Sequence, residues 1–414
     1  MAEDGSEILD FPPLLRRPEG CPFSISPAYR QLRAERPVAR VRLQNGDTAW
    51  LISRYQDQRA ILSDPRFSAD SMRPGFPLFY ETNGRSKGVR TLINMDNPEH
   101  HEYRRKLSRY FTTKQIEDLR PRIQQFVDDT IDEMSETTPP VDLTTAFSAP
   151  VSTRTMCAFL GLPEADAAFI QEITPVFDTP TQGRKLNDAS RRLFGYFFRL
   201  IEEKKKHPDE SVIGDLVTRY VIPQKLTLED AAAQAAFIMN AGYGTVWNTM
   251  SLGTLMLLEH PAELARLRNS DDPALPARAV DELLRLLNPN QIGRRRVALE
   301  DIEIGGQLIR AGEGIIMPTQ SGNRDESVFP DPERLDIGRD ARQHIAFSYG
   351  FHQCIGQSVA RVELEVAITT LVRRIPTLEL AKPASDLTFK NDMIVYGVDE
   401  LPVSWTDTPA PRSQ

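Results

Sequence analysis

Apolar residues recur at helical spacing along most of the 414-residue chain. This spacing predicts helices over 112–135, 163–172, 187–206, 227–259, 261–268, 278–287 and 357–374. The longest begins at Thr227. Thr227 and Asp230 resemble a capping box in which aspartate takes the place of the usual glutamate or glutamine. A mainly helical protein is therefore expected.

Extended apolar segments cluster over 38–53 and 302–317. The first contains Asn45-Gly46, which favours a type I′ hairpin turn, and the second contains Gly305-Gly306. These segments predict a small sheet at one side of the helical part. The expected fold class is mainly α with small β-sheets, of the α+β kind.

No linker, repeat or change of composition divides the chain. We therefore expect one domain over 1–414, with an N-terminal extension over 1–25 and a flexible tail over 407–414. A polar connection over 174–185 is equally consistent with a mobile lid that admits substrate and with a surface loop.

Charge and hydropathy exclude several classes of protein. The net charge of −8 gives no support for nucleic-acid binding. Residues 1–10 lack the basic and apolar regions of a signal peptide. The apolar stretch 231–258 contains Gln234, Asn240 and Asn248, which indicates a buried helix rather than a membrane span. A cytoplasmic protein is expected, in keeping with three scattered cysteines.

The most informative segment is 347–356, which reads FSYGFHQCIG and contains Cys354. Gly350 opens a turn that presents the sulfur, and Gly356 lets the backbone pass close beneath a flat cofactor. The helix that follows at once places free N–H groups under the sulfur, which favours a thiolate over a thiol. The segment therefore indicates a haem thiolate ligand loop.

Cys354 could also be a structural residue or a zinc ligand. A free cysteine is often a small buried hydrophobe, and nothing in the cysteine alone excludes this. A zinc site is disfavoured because the remaining cysteines, Cys21 and Cys157, do not stand at ligand spacing.

With these residues in place, the chain resembles a soluble bacterial cytochrome P450 of the actinobacterial type, a haem-thiolate monooxygenase, over nearly its whole length. The resemblance implies the cytochrome P450 fold, with one large helical domain around a buried haem b. It implies the Cys354 thiolate as the axial iron ligand and Phe347 and Gly356 as contacts of the cofactor.

The long helix departs from the family pattern. Residues 241–245 read AGYGT, whereas the family usually has Ala-Gly-any-acid-Thr across the distal face of the haem. The resemblance places Ala241 at the cofactor and Thr245 in catalysis, but Gly244 replaces the acid. Protons must then come from ordered water, Thr245, another side chain such as Asn248, or the substrate. Two glycines also allow a groove or kink. A threonine such as Thr245, taken alone, is more often a hydroxyl bonded to the preceding turn than a catalytic group.

The resemblance also supplies partners for the haem propionates. His100 and Arg104 stand four apart at a helix start, and Arg296 and His352 are the other matched positions. A solvated basic helix face is the alternative for Arg104.

A structural network is implied by Glu282 and Arg285, which lie three apart on one helical face. The resemblance adds a later arginine, best matched by Arg334. Such a network stabilises the fold and takes no part in catalysis.

Partners and substrate follow from the same resemblance. A basic patch of Arg105, Lys106, Arg109 and Arg361 on the cysteine side suits an acidic ferredoxin or flavodoxin with its reductase. The substrate pocket is expected from the segments 67–90, 174–185, 288–293 and 393–396 together with the long helix, and it suits a medium to large, moderately polar organic molecule. A monomer is expected.

Four functions remain open at this point. The leading one is a monooxygenase that hydroxylates or epoxidises its substrate in natural-product tailoring or xenobiotic oxidation. The second is a nitric oxide reductase that takes hydride from NADH, with Arg73, Arg85, Lys87 and Arg90 as cations for the dinucleotide. A peroxide-driven oxygenase, favoured by an arginine beside the distal pocket, and a haem-binding sensor without turnover are the others.

Overall fold

The computed structural model describes residues 8–11, 17–18, 20–78, 90–178, 184–406 and 410–412. Most of the expected tail, part of the expected N-terminal extension, and residues 79–89 and 179–183 of the expected pocket segments lie outside these ranges. Within the ranges, the helices are α1 Ala28–Glu35, α2 Tyr55–Ser63, α3 Glu99–Ser108, α4 Thr113–Ser135, α5 Ala149–Leu160, α6 Ala167–Ile173, α7 Arg184–Lys206, α8 Val212–Leu216, α9 Leu228–Leu258, α10 Pro261–Asn269, α11 Leu275–Leu287, α12 Thr319–Gly322 and α13 Gln357–Arg374.

The strands of the described residues are short and form three sheets. They are β1 Leu9–Asp10, β2 Val38–Arg42, β3 Thr48–Ile52, β4 Phe67–Ser68, β5 Val141–Asp142, β6 Arg294–Ala298, β7 Ile302–Ile304, β8 Gln307–Ile309, β9 Gly314–Met317, β10 Glu379–Leu380 and β11 Pro402–Ser404. The main sheet has the order β1-β2-β3-β9-β6-β4, and the smaller ones are β10-β11-β5 and β7-β8. The expected fold class, mainly helical with small sheets, is confirmed.

The two predicted hairpins are present, but the first has a different turn. Gly46 has φ +85°, whereas Asn45 does not have the positive φ that a type I′ turn requires. The Leu43 N–H instead donates to the Asp47 carbonyl at 2.8 Å across a longer loop. Both central residues of the β7–β8 turn, Gly305 and Gly306, have positive φ, at +55° and +78°.

The long helix α9 runs through the helical core for about 46 Å. The Thr227 hydroxyl caps it by accepting the N–H of Asp230 at 3.0 Å, as the sequence predicted. The two glycines allow a groove or kink, and α-helix continues through Gly242 and Gly244 without interruption. Gly242 serves close packing instead, since a Cβ there would lie 2.7 Å from the Met156 sulfur of α5.

One large apolar cluster joins α4, α5, α9, α11 and α13. Smaller clusters lie against the main sheet. The sheet therefore lies at one side of the helical core. Helix α13, which follows the Cys354 segment, packs into that core. Among the described residues, no helix has the length and apolarity to cross a membrane.

Candidate active site

A cavity of about 290 Å³ lies between α9, the Cys354 segment and the end of α11. Cys354 forms part of its wall, and Thr245 of α9 forms another part. Apolar side chains such as Phe159 and Phe237 make up most of the remaining surface. The structure thus brings the two elements singled out in the sequence, the Cys354 segment and the long helix, to one cavity.

The loop before α13 fixes the position of the sulfur. The Cys354 N–H donates to the Phe347 carbonyl at 2.8 Å, which closes the loop. Gly350 has φ +68°, and a Cβ there would lie 2.3 Å from the Leu62 carbonyl oxygen of α2. Only glycine satisfies both the conformation and the space. At Gly356, which lines the cavity, the nearest atom to an added Cβ is a ring carbon of Phe111 at 3.7 Å. A side chain at this position would therefore meet no clash with the protein, but it would stand beside the cavity.

Burial raises the pKa of the Cys354 thiol. The N–H of Gly356 and the guanidinium groups of Arg294, Arg104 and Arg361 act in the opposite direction. A metal ion at the sulfur would favour the thiolate outright. Within the described part of the chain, no group of three or more histidine, cysteine or acidic residues gathers to hold a metal ion.

The four expected propionate partners lie together. The rings of His100 and His352 are 4.1 Å apart. Burial, and then Arg104 and Arg296, lower the pKa of His100 to about 4. Burial, Arg296 and the His100 ring lower the pKa of His352 to about 2. Arg104 and Arg296 therefore make this a cationic group, and the two histidines beside them are held neutral.

Arg104 and Arg296 form no salt bridge among the described residues, although the charge of Asp96 acts on His100 and Arg296. Asp96 pairs with Arg73 at 3.6 Å and Glu99 pairs with Arg90 at 2.6 Å. The buried Nε2 of His100 has no hydrogen-bond partner in the described chain. Two propionates would satisfy both deficits, so the residues present fit a haem whose acidic edge lies at this group.

Arg294 is a site residue that the sequence motifs did not indicate. It lines the cavity, and its positive charge interacts with the Cys354 sulfur. Its buried Nε has no hydrogen-bond partner in the described chain. The sequence signal that could have found it is its position two residues before Arg296 on β6, because alternate strand residues share a face.

On α9, Ala241 and Thr245 line the cavity as expected, together with Thr249. The Thr245 hydroxyl donates to the Ala241 carbonyl at 2.8 Å. Such a bond to the preceding turn leaves the hydroxyl oxygen able to accept a further hydrogen bond at the cavity.

Gly244 and Asn248 are not among the described residues that line the cavity. Asn248 was expected as a substitute proton donor, but its amide donates to the Gly244 carbonyl at 2.8 Å and accepts from the Lys390 ammonium at 3.2 Å. It is buried against the C-terminal segment, where a Cβ on Gly397 would lie 1.7 Å from its amide oxygen. The geometry therefore gives it no direct contact with the cavity.

The Glu282 network is present with a different third member. Arg285 and Glu282 are fully buried and form two hydrogen bonds at 2.7 and 2.8 Å. Arg339, not Arg334, completes the network, with its Nε 3.1 Å from Glu282. Arg334 is 67% exposed and pairs with Asp336 at 3.2 Å, so its side chain does not reach the buried Glu282. The expected role of Arg334 was wrong.

The predicted pocket segments contribute unequally. Asn288, Pro289 and Asn290 line the cavity as expected. The described parts of 67–90 and 174–185, and the segment 393–396, are not in its wall.

The predicted basic patch is also smaller than expected. Lys106 is buried and pairs with Glu102 at 2.7 Å, and Arg109 pairs with Asp215 at 3.6 Å. Arg361 hydrogen-bonds to Asp281 at 2.8 Å. Arg105 and Arg109 are both exposed, and Arg105 is the one without a salt bridge among the described residues.

Comparison with known proteins places this geometry in a family. The family model described as cytochrome P450 matches residues 25–392. Cytochrome P450 GfsF of Streptomyces halstedii is 42% identical over 98% of this chain and 99% of its own length. Its crystal structure has a TM-score of 0.87 and 41% identity, and covers 94% of this chain and 98% of that one.

A second solved structure is similar over an even larger part. Mycinamicin VIII C21 methyl hydroxylase MycCI from Micromonospora griseorubida, bound to mycinamicin VIII, has a TM-score of 0.90 and 36% identity. The match covers 96% of this chain and 100% of that one. A helical fold that presents one cysteine, Cys354, to a mostly apolar cavity is the arrangement of a haem-thiolate enzyme. The chain belongs to the cytochrome P450 family and is a monooxygenase.

The family uses haem with an axial cysteine thiolate, and Cys354 is that cysteine here. When bound, the haem supplies the one-electron and dioxygen chemistry. The described chain contributes a fixed thiolate, a cationic group for the propionates, and an apolar chamber bounded by Thr245. Enzymes of this family act on small organic molecules and receive electrons from redox partners.

Proposed function

We propose that this monooxygenase hydroxylates or epoxidises a medium to large lipophilic molecule that carries hydrogen-bonding groups, in natural-product tailoring or xenobiotic oxidation. The observation that carries the proposal is a pair of amide oxygens. The buried Oδ1 atoms of Asn288 and Asn290 have no partner in the described chain, and both residues line the cavity.

The surroundings of these amides support a mostly apolar ligand. Met156, Phe159, Phe237 and Val246 form apolar walls of the same cavity. Burying a polar group without a partner is costly, so each amide oxygen favours a ligand that donates a hydrogen bond there. Apolar walls with a few fixed polar groups are typical of sites that orient a lipophilic molecule.

The similarity to an enzyme bound to mycinamicin VIII points in the same direction. We propose that the substrate of this protein is likewise a medium to large natural product. The proposal includes a cytoplasmic, monomeric enzyme and an acidic ferredoxin or flavodoxin as electron donor.

Substrate-induced changes of the haem absorption spectrum test the substrate class. We expect hydroxylated macrolides, terpenes or sterols to shift the spectrum of the ferric protein. Asn290→Leu should weaken such a ligand by about 10-fold, which corresponds to one lost hydrogen bond, and leave a purely apolar ligand unaffected. Equal weakening of both ligands, or no effect on either, would contradict the assigned role of the amide.

The nitric oxide reductase alternative loses part of its support. Arg73 and Arg90, two of the cations expected for a dinucleotide, are paired with Asp96 and Glu99. The other two, Arg85 and Lys87, lie outside the described residues. NADH consumption with nitric oxide and no protein partner, measured beside oxygen consumption with a ferredoxin system, separates the two functions.

The peroxide-driven alternative is not favoured by the cavity wall. Within the described ranges, the arginines that line the cavity are Arg104 and Arg294. The charge of each interacts with the Cys354 sulfur. They therefore lie toward the thiolate side. The same oxygen assay tests the hypothesis of a haem-binding sensor without turnover. A sensor would show a haem absorption spectrum but would form no oxidised product.

A further inference from the structure

Asp281 on α11 joins three elements around the Cys354 loop. Its side chain is 9% exposed, and its Oδ1 accepts a hydrogen bond from the Arg361 Nε of α13 at 2.8 Å. The same oxygen lies 3.3 Å from Nε2 of His344, whose side chain is fully buried in the segment that leads into the loop. One carboxylate thus ties α11, α13 and the beginning of the ligand loop together.

The contacts of this carboxylate continue to the backbone of the cavity wall. The Ala346 N–H donates to Nδ1 of His344 at 3.1 Å, and Ala346 lines the cavity. The Arg361 guanidinium lies over the Phe347 ring, 4.6 Å from its centroid, and the Phe347 carbonyl accepts the Cys354 N–H. The carboxylate therefore acts, through one partner each, on two neighbouring residues of the loop.

The charge states of these side chains follow from burial and contact. Burial lowers the pKa of His344, although Asp281 acts in the opposite direction. The ring is therefore neutral, and because its Nδ1 accepts from Ala346, its Nε2–H donates to Asp281. Burial acts to raise the pKa of Asp281, but the hydrogen bond from His344 and the charge of Arg361 outweigh it, so this pKa is lowered. Asp281 is thus ionised, and Arg361 is the cation that balances it.

Arg361 differs in this respect from the other arginines that act on the sulfur. The charges of Arg294, Arg104 and Arg361 all favour the Cys354 thiolate. Among the described residues, Arg361 is the one of the three that forms a salt bridge with a carboxylate. Asp281 therefore reduces the positive charge that the thiolate meets from the side of α13.

We propose that Asp281 is a positioning residue that sets the reduction potential of the haem iron, by holding Arg361 beside the Cys354 loop and offsetting its charge. In the step concerned, one electron from the redox partner converts ferric to ferrous iron, and no other bond or proton changes. A negative charge near the iron disfavours the added electron, and a positive charge favours it. The inference concerns electron uptake and does not depend on the proposed substrate.

Spectroelectrochemical titration of the substrate-free holoenzyme tests the proposal without turnover or a protein partner. Asp281→Asn keeps an oxygen for the Arg361 Nε but removes the negative charge. We therefore expect the equilibrium constant for one-electron reduction to rise about 10-fold, which corresponds to a potential more positive by about 59 mV. Arg361→Gln removes the cation and should lower the same constant by about 10-fold. The double variant should lie within about threefold of the wild type, because the two changes oppose each other.

The opposite signs separate this role from a structural one. Loosening of the loop does not follow the sign of the charge removed, so a shift of both single variants in the same direction would overturn the proposal, as would no shift in either. Asp340→Asn is the matched control, because Asp340 is 62% exposed and pairs with Arg342. Its loss should change the constant by less than about twofold. An equal shift in Asp340→Asn would assign the effect to net charge and overturn the proposal.

The spectrum of each reduced variant under carbon monoxide shows whether the thiolate is retained. We expect the thiolate-type Soret band in all of them. If Asp281→Asn does not bind haem, Arg361→Gln decides alone, since Arg361 is 30% exposed and its loss leaves a smaller gap. An unchanged or more positive potential in Arg361→Gln would then overturn the proposal. A wild type that oxidises none of the expected substrates would refute the proposed function and leave these potentials unaffected.

Discussion

Single residues decide how the sulfur is presented, and Gly350 shows this most sharply. Gly350 and Gly46 both have positive φ, but an added Cβ meets the Leu62 carbonyl at 2.3 Å only at Gly350. Gly46→Ala should cost about 1 kcal/mol from conformation alone. Gly350→Ala adds a backbone clash and should cost about 3 kcal/mol or more. Thermal unfolding of the two holoenzyme variants checks this, and equal destabilisation would contradict it.

The residues of the site were predictable where a motif carried them and not where burial did. Cys354, Thr245 and His100 stand in short motifs with chemical meaning, and the structure places all three at the cavity. Glu363, a fully buried residue of α13 that also lines the cavity, sits in an ordinary amphipathic pattern, where a glutamate predicts an exposed position. Its burial follows from how α13 packs among neighbouring helices, which the linear sequence does not display.

Among the elements, α11 and the loop that contains Arg339 depend on one ionic network. Arg339 contacts the fully buried Glu282 and donates to the Pro330 carbonyl at 2.6 Å. Arg339→Ala leaves part of a buried carboxylate without compensation and should cost about 3 kcal/mol. Arg334→Ala removes an exposed arginine and should change stability by about 0.5 kcal/mol or less.

Chemical or thermal unfolding of these two variants provides the measurement. Both remove an arginine from the same loop, so the change in net charge is matched. A larger loss for Arg334→Ala would restore the sequence-based assignment and contradict the observed network.

Helices were predicted correctly where polar residues on one face made the helical spacing of the apolar residues visible, and they were missed where both faces are buried. The sequence predicted Gln357–Arg374 with the bounds found in the structure, because the helix ends before Pro376. The buried helix Ala149–Leu160 was not predicted. Its core position removes the polar stripe that makes a helical period visible, and its threonine and valine residues favour strands.

For the whole molecule, the distribution of charge bears on electron delivery. Arg105 is exposed and follows Arg104, which is coupled to Cys354. Arg105→Glu should slow reduction by an acidic ferredoxin by about 10-fold at low salt, since complementary charge accelerates association. The effect should shrink at high ionic strength.

Stopped-flow reduction at several salt concentrations measures this effect. Arg342→Glu is the matched control, because Arg342 is 79% exposed and its partner is Asp340 within the same loop. An equal effect of both substitutions would show that net charge, not docking near Arg105, controls the rate.

The central claim is that Cys354 binds haem iron as a thiolate. The most direct measurement is the difference spectrum of the reduced protein under carbon monoxide, recorded for wild type, Cys354→Ala and Cys157→Ala. We predict a red-shifted, thiolate-type Soret band in the wild type and in Cys157→Ala, whose cysteine is buried between helices, and none in Cys354→Ala. A retained thiolate band in Cys354→Ala would contradict the account.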